Sequence, residues 1–174
     1  MVTQPRRISA ISIAERVVEE QCQAGAGGLI GYQVRLESAV TADTQLVFLT
    51  PGVLLRKMQS SPLLKEYTCV IIDEIHERDK YQEFLLIVLR DLLPLRPDLR
   101  IVLMSATLQT VALVDFFAAQ GVQPAVVEME GRMFPVQEFF LEKVLEMTGY
   151  IDATTGYDGG ATFETELAKL TGKE

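Results

Sequence analysis

The segment Val70-Ile71-Ile72-Asp73-Glu74-Ile75-His76-Glu77 passes from unbroken aliphatics into two adjacent carboxylates and then a histidine, the single one in the chain. An apolar run of this kind, bounded by charge, reads as a buried strand with its acids at the carboxyl end. Asp73 in that place suits a magnesium ion, which takes oxygen ligands, keeps several waters and commonly accepts one or two carboxylates together with substrate phosphates. Glu74 would offer a second carboxylate, touching the metal partly through water and able to orient a water for attack. The same residues also describe a turn with solvated acids, so the pattern needs support from elsewhere in the chain.

That support comes from other apolar runs that end in polar groups. Val2-Thr3-Gln4, Phe48-Leu49-Thr50, Ile71-Ile72-Asp73 and Leu103-Met104-Ser105 each close a candidate strand. Between them lie helical patterns. Residues 9–22 place Ile11, Ala14, Val17, Val18 and Cys22 on one face, with Ser9 or Ser12 as the cap. Pro51 opens a second helix at its first turn, residues 81–93 form a third that stops at Pro94, and residues 110–120 a fourth closed by Gly121. Residues 32–36, 45–50, 100–106 and 125–130 read as further strands. Alternating strands and helices with continuously apolar strands imply an α/β fold, a mostly parallel sheet with helices on both faces. In such sheets ligands bind beyond the carboxyl ends of the strands, where these polar groups collect.

Composition bounds the function without choosing it. No apolar run approaches the about 20 residues that span a bilayer, so no membrane partner is expected. Met1–Ser9 has no apolar stretch behind its arginines and does not read as a signal peptide. Cys22 and Cys69 have no metal-type spacing and are expected to be reduced core thiols, which points to an intracellular protein, cytoplasmic or nuclear with the cytoplasm preferred. The net charge of −8 speaks against a polyanionic partner. Its distribution does not: residues 1–57 hold six basic and five acidic side chains, net +1, whereas residues 128–174 hold four and ten, net −6. From residue 148 the text turns polar, acidic and turn-rich, as in a linker or mobile tail with a short helix near its end.

Seven segments in order carry a specific likeness: TQPRRISAISIAERV, GYQVRLES, TPGVLLR, DEIHERD, FLLIVLRDLLPLRPDL, LMSATL and GRMFPVQEFFLEKVLEMTGY. Together they resemble the DEAH-box (DExH) ATP-dependent RNA helicases, from residue 1 to about residue 150. The resemblance implies a RecA-like first motor domain over residues 1–147, truncated at its N-terminus, and a linker over 148–174 leading toward a second RecA-like domain. It implies ATP and Mg²⁺ as cofactors, with Asp73 and Glu74 as metal-binding and water-activating acids. His76 would connect the nucleotide site to the rest of the motor, and Ser105 with Thr107 would couple hydrolysis to strand separation. Thr3, Gln4, Pro5, Arg6 and Arg7, with Thr50, Gly52 and Arg56, would lie along a single-stranded RNA backbone. Arginine forks and strand-end hydroxyls can grip phosphates without reading bases.

The chain departs from the family pattern in ways that matter. The family's Gly-Lys-Thr phosphate loop is expected upstream of Thr3, and no such loop occurs in these 174 residues. Gly25, Gly27, Gly28 and Gly31 miss the GxGxxG spacing, and Glu174 stands where a phosphate loop needs Ser or Thr. The chain alone is therefore expected to be inactive, with catalysis belonging to the intact protein. Pro51 also replaces the residue usual in the Thr50–Arg56 segment. A different reading is a non-catalytic helicase-like module that binds RNA or protein, and the sequence upstream of Met1 distinguishes the two.

Overall fold

The first strand, β1 (Val2–Thr3), is followed by helix α1 (Arg7–Glu20) and then by β2 (Ile30–Val34), β3 (Glu37–Ala39) and β4 (Leu46–Leu49). Helix α2 (Pro51–Ser60), β5 (Cys69–Ile72), a 3-10 turn at Ile75–Glu77 and α3 (Lys80–Leu92) come next, and β6 (Arg100–Leu103) and α4 (Thr110–Ala118) follow. The structure is a computed structural model and describes residues 1–106, 110–129, 131, 134–149, 151–152 and 157–158. Met1–Val127 and Glu128–Glu174 form two units. In the second, α5 (Leu141–Thr148) ends on Gly149 at φ +60°, and β7 (Ile151–Asp152) pairs antiparallel with β8 (Tyr157–Asp158). The short helix expected near the C-terminus lies outside the described residues. No helix among the described residues is long and apolar enough to cross a membrane.

In the first unit the sheet runs β3-β2-β4-β1-β5-β6, parallel throughout except for the β2–β3 hairpin. The two-residue β1 is thus central, held between β4 and β5. The connection from β4 through α2 passes over it, so the chain changes direction across the sheet at β1. Alternation along the strands sorts the core into two layers. Val47, Leu49, Val70 and Ile72 face Leu54 and Met58 of α2 and Leu85, Leu86 and Leu89 of α3. Val2, Phe48, Ile30 and Val34 face Ala10, Ala14 and Val18 of α1. Both faces are covered, as the continuous apolar strands imply. Leu54, Leu85 and Leu89 are fully buried, each contributing about 1.5–3 kcal/mol of transfer free energy.

Three local expectations are corrected. Helix α1 starts at Arg7 with no side-chain cap; Ser9 lies inside it and the Ser12 hydroxyl donates to Ile8 O at 2.9 Å. That helix stops at Glu20, and Cys22 at φ +52° turns off its apolar face, so Cys22 is exposed and Cys69 only half-buried. Residues 125–129 form no strand: Val126 and Val127 are 50% and 84% exposed, and apolar alternation makes no ladder without a neighbouring strand. In the glycine-rich stretch, Gly31 is required by a close approach. A Cβ on Gly31 would stand 2.1 Å from Ala39 O across the hairpin.

Candidate nucleotide and nucleic-acid site

Register aligns the strand ends. Leu49 is opposite Thr3, Thr3 opposite Ile72, and Ile72 opposite Leu103. The next residues, Thr50, Gln4, Asp73 and Met104, therefore emerge side by side along one edge, with Ser105 one step further. The polar strand ends singled out in the sequence share an edge because the intervening strands are parallel and unstaggered.

Asp73 is half-buried and held on four sides. Its N–H donates to Thr3 O at 3.2 Å, and its carbonyl accepts from Gln82 Nε2 at 2.9 Å. Its Oδ2 accepts from Gln4 Nε2 at 2.7 Å, and its Oδ1 from the Glu74 N–H at 2.8 Å. Both oxygens are oriented by one donor each, which leaves lone pairs for another ligand. Glu74 follows at φ +54° and ψ +40°, a left-handed conformation that is uncommon for a non-glycine residue and often marks functional sites. Its side chain is 42% exposed. Among the described residues no cluster of three or more His, Cys, Asp or Glu could cage a metal. The donors present, one oriented carboxylate and a partly exposed neighbour, match an ion that draws its remaining ligands from water and phosphate, as Mg²⁺ does.

His76 sits in the 3-10 turn with two partners converging on Nδ1: Glu74 Oε2 at 3.3 Å and the Ala106 N–H at 3.4 Å. A ring with its proton on Nδ1 donates to Glu74, whereas one with the lone pair there accepts from Ala106, so the nitrogen serves one partner at a time. The backbone ties the same loop to β6, since Ile75 N–H donates to Met104 O at 3.0 Å. Main-chain and histidine atoms thus tie the acid loop to the residues on either side of Ser105. Ser105 is exposed beside it. Thr107 lies outside the described residues.

On the other half of the edge the side chains are looser. Arg6 is exposed and pairs with Glu77 at 3.3 Å; Arg7 is exposed and meets Glu37 at 3.8 Å. Glu37 also accepts from the Tyr32 hydroxyl at 2.8 Å, and that hydrogen bond raises the phenol above its ordinary pKa. Arg56 projects from α2, exposed and without an ion-pair partner among the described residues. Thr50 is the N-cap residue of α2, yet its hydroxyl makes no cap bond, and a Cβ on Gly52 would meet nothing within 4 Å. Pro5 is half-buried between the buried strand end and the two arginines.

Two of the residues expected along RNA are placed elsewhere. Thr3 and Gln4 are 0% and 2% exposed, enclosed by β4 and β5, and the Gln4 amide is spent on Asp73. Gln82, which the sequence reading did not single out, is buried and bonds the Asp73 carbonyl; its helix register, one turn into α3, was the available signal.

A family model described as DEAD/DEAH box helicase matches residues 3–114, which contain the whole of this edge. The chain is 45% identical over 153 residues to the ATP-dependent RNA helicase DHX29 of Mus musculus, covering 86% of this chain and 11% of that protein. It is 51% identical over 148 residues to the DExH-box ATP-dependent RNA helicase DExH3 of Arabidopsis thaliana, covering 85% and 12%. For the related DExH1 of the same plant the figures are 49% over 148 residues, 85% and 14%. The chain thus spans roughly a tenth of the length of these relatives.

Proposed function

The chain belongs to the DEAD/DEAH box helicase family, and from its site geometry we propose that the protein carrying it is an ATP-dependent RNA helicase. These residues would form most of the first RecA-like motor domain. A second RecA-like domain of the same protein would close over the strand-end edge, and a phosphate loop would come from sequence ahead of Thr3. The observation that carries this reading is Asp73: a half-buried carboxylate at a central strand end with both oxygens oriented by donors, next to an acid in a left-handed conformation.

Asp73, with Glu74 through water, would hold Mg²⁺, which would supply charge neutralisation for the nucleotide phosphates. Glu74, beyond the end of the strand and half-exposed, orients the attacking water and accepts its proton. His76 would pass the state of Glu74 to the Ser105 segment, a reading supported by the two partners, Glu74 and Ala106, that share Nδ1. Ser105 and Thr107 would then link hydrolysis to movement of the bound strand. Arg6, Arg7 and Arg56, with the Thr50 hydroxyl and the open backbone at Gly52, would grip phosphates of single-stranded RNA. The pairs Arg6–Glu77 and Arg7–Glu37 are exposed ion pairs of little net strength, which a phosphate can replace.

The test is ATP hydrolysis by the full-length protein with and without single-stranded RNA of unrelated sequences. Stimulation by each of them is expected, since backbone contacts do not read bases. A full-length protein whose reading frame encodes no GxxxxGK[ST] loop, or that hydrolyses no ATP, would instead be a non-catalytic module, and hydrolysis that ignores RNA would overturn RNA as the coupled partner.

A further inference from the structure

We propose that Gln4 is a positioning residue for Asp73, and that it carries the occupancy of the nucleic-acid edge to the metal-binding carboxylate. The inference rests on the helicase reading above. It starts from a disagreement: Gln4 belongs by sequence to the segment expected on RNA, yet its side chain is buried and its amide lies 2.7 Å from Asp73 Oδ2.

The orientation of that amide follows from chemistry. An ionised carboxylate only accepts, so the group facing it is the NH₂ and not the carbonyl of Gln4. The bond is charge-assisted and joins residues 69 positions apart. It acts with a second contact from the same strand end, because Thr3 O accepts from the Asp73 N–H. The exit of β1 thus holds Asp73 by main chain and side chain together. Gln82 and the Glu74 N–H fix what remains, the carbonyl and Oδ1. The β1 exit continues directly into exposed cationic side chains, at Arg6 and Arg7.

A phosphate drawn onto Arg6 and Arg7 pulls on a chain that reaches Gln4 in two residues. Gln4 N–H is itself tied to Leu49 O at 2.8 Å, so the β1 exit is fixed to β4 as well as to Asp73. The displacement is delivered to Oδ2, whose angle decides where the remaining lone pair points. Glutamine has the length this needs. Asparagine is one methylene short, and glutamate would set two carboxylates against each other.

The experiment uses the full-length protein with Gln4→Met, which keeps length and removes the donor, and Gln4→Asn, which keeps a polar amide that cannot reach. The second variant serves if the first does not fold. Three quantities are read: the Mg²⁺ concentration giving half-maximal ATP hydrolysis, the affinity for single-stranded RNA without nucleotide, and amide hydrogen exchange at Glu74 in nucleotide-free protein. Half-saturating Mg²⁺ is expected to rise about tenfold, the scale of one lost hydrogen bond to a charged group. RNA affinity should stay within about twofold, since loss of a phosphate contact is what Gln4 cannot suffer if it touches none. In the wild type, RNA should slow exchange at Glu74, and in the variants it should not. A purely structural role would change none of these selectively. Unchanged Mg²⁺ dependence, or RNA protection of Glu74 that survives in the variants, overturns the proposal while leaving the helicase reading intact. A wild type without RNA-stimulated hydrolysis overturns that reading and this inference with it.

Discussion

The two halves of the strand-end edge are built on opposite principles. Around Asp73 four polar groups, Thr3 O, Gln4 Nε2, Gln82 Nε2 and the Glu74 N–H, converge on one residue, and two of the four belong to buried glutamines. Around Arg6, Arg7 and Arg56 the side chains stand in solvent, tied at most by single exposed ion pairs. The difference follows from the ligands proposed for each half. Phosphoryl transfer depends on positioning within fractions of an ångström, so the acid is over-determined by buried bonds. A polyanion that must be gripped and released needs charge on long, adaptable side chains, whose counter-ions exchange cheaply.

Substitutions should therefore divide by half. The largest effect is expected from Glu74→Gln in the full-length protein: turnover falls by roughly 10²-fold or more, the scale of a lost general base, while ATP and RNA affinities hold. Steady-state hydrolysis together with nucleotide titration measures this, and wild-type turnover would remove Glu74 from the chemistry. Next comes Gln82→Leu, which strips the Asp73 carbonyl of its partner in a buried place. Stability should drop by about 1–3 kcal/mol in denaturant unfolding. A cost near zero would mean that the positioning of Asp73 is looser than its bonds imply.

On the exposed half, replacing Arg6, Arg7 and Arg56 together by alanine should leave stability within about 1 kcal/mol. RNA binding should weaken equally for all sequences, and the slope of log K against log salt should flatten by up to about 0.7 per lost contact. An unchanged slope would take these arginines out of the interface. The smallest effect lies away from both halves. Arg96 donates to Asp98 through Nε and Nη2, both at 2.8 Å, and holds that carboxyl below its usual pKa. A depressed folded-state pKa gives stability that is present above the unfolded value and lost as pH falls through the folded one. Asp98→Asn should therefore lower Tm slightly at neutral pH, with the difference vanishing in acid, and a difference that grew on acidification would contradict the pairing.

Much of this arrangement could be read in advance. Asp73 and Glu74 were visible because an aliphatic run ends in adjacent acids, and the ordered segments around them separated that pattern from a turn with solvated acids. The helices α2 and α3 followed from Pro51 and from apolar spacing, and their bounds differ from the expected ones by a residue or so. What escaped is equally instructive. The β3 strand is short, polar and at the sheet margin, so it has no apolar signature. The apolar alternation at residues 125–129 had the signature and no neighbour to pair with. Cys22 continued the helical face on paper, but the helix ended before reaching it.

By itself the sequence determined the main alternation of strands and helices, the parallel α/β class, the family and the acids at the end of β5, because each rests on local pattern or on ordered motifs. Only the tertiary structure decided which side chains of the Thr3–Arg7 segment face inward. That outcome depends on β4 and β5, strands more than 40 residues along the chain, closing on both sides of a two-residue β1. Burial there leaves Gln4 no water to bond and one carboxylate within reach. A residue that reads as part of a nucleic-acid grip becomes a holder of Asp73, because hydrogen-bond partners are set by what neighbouring strands bring close, and that register is not written in any single segment.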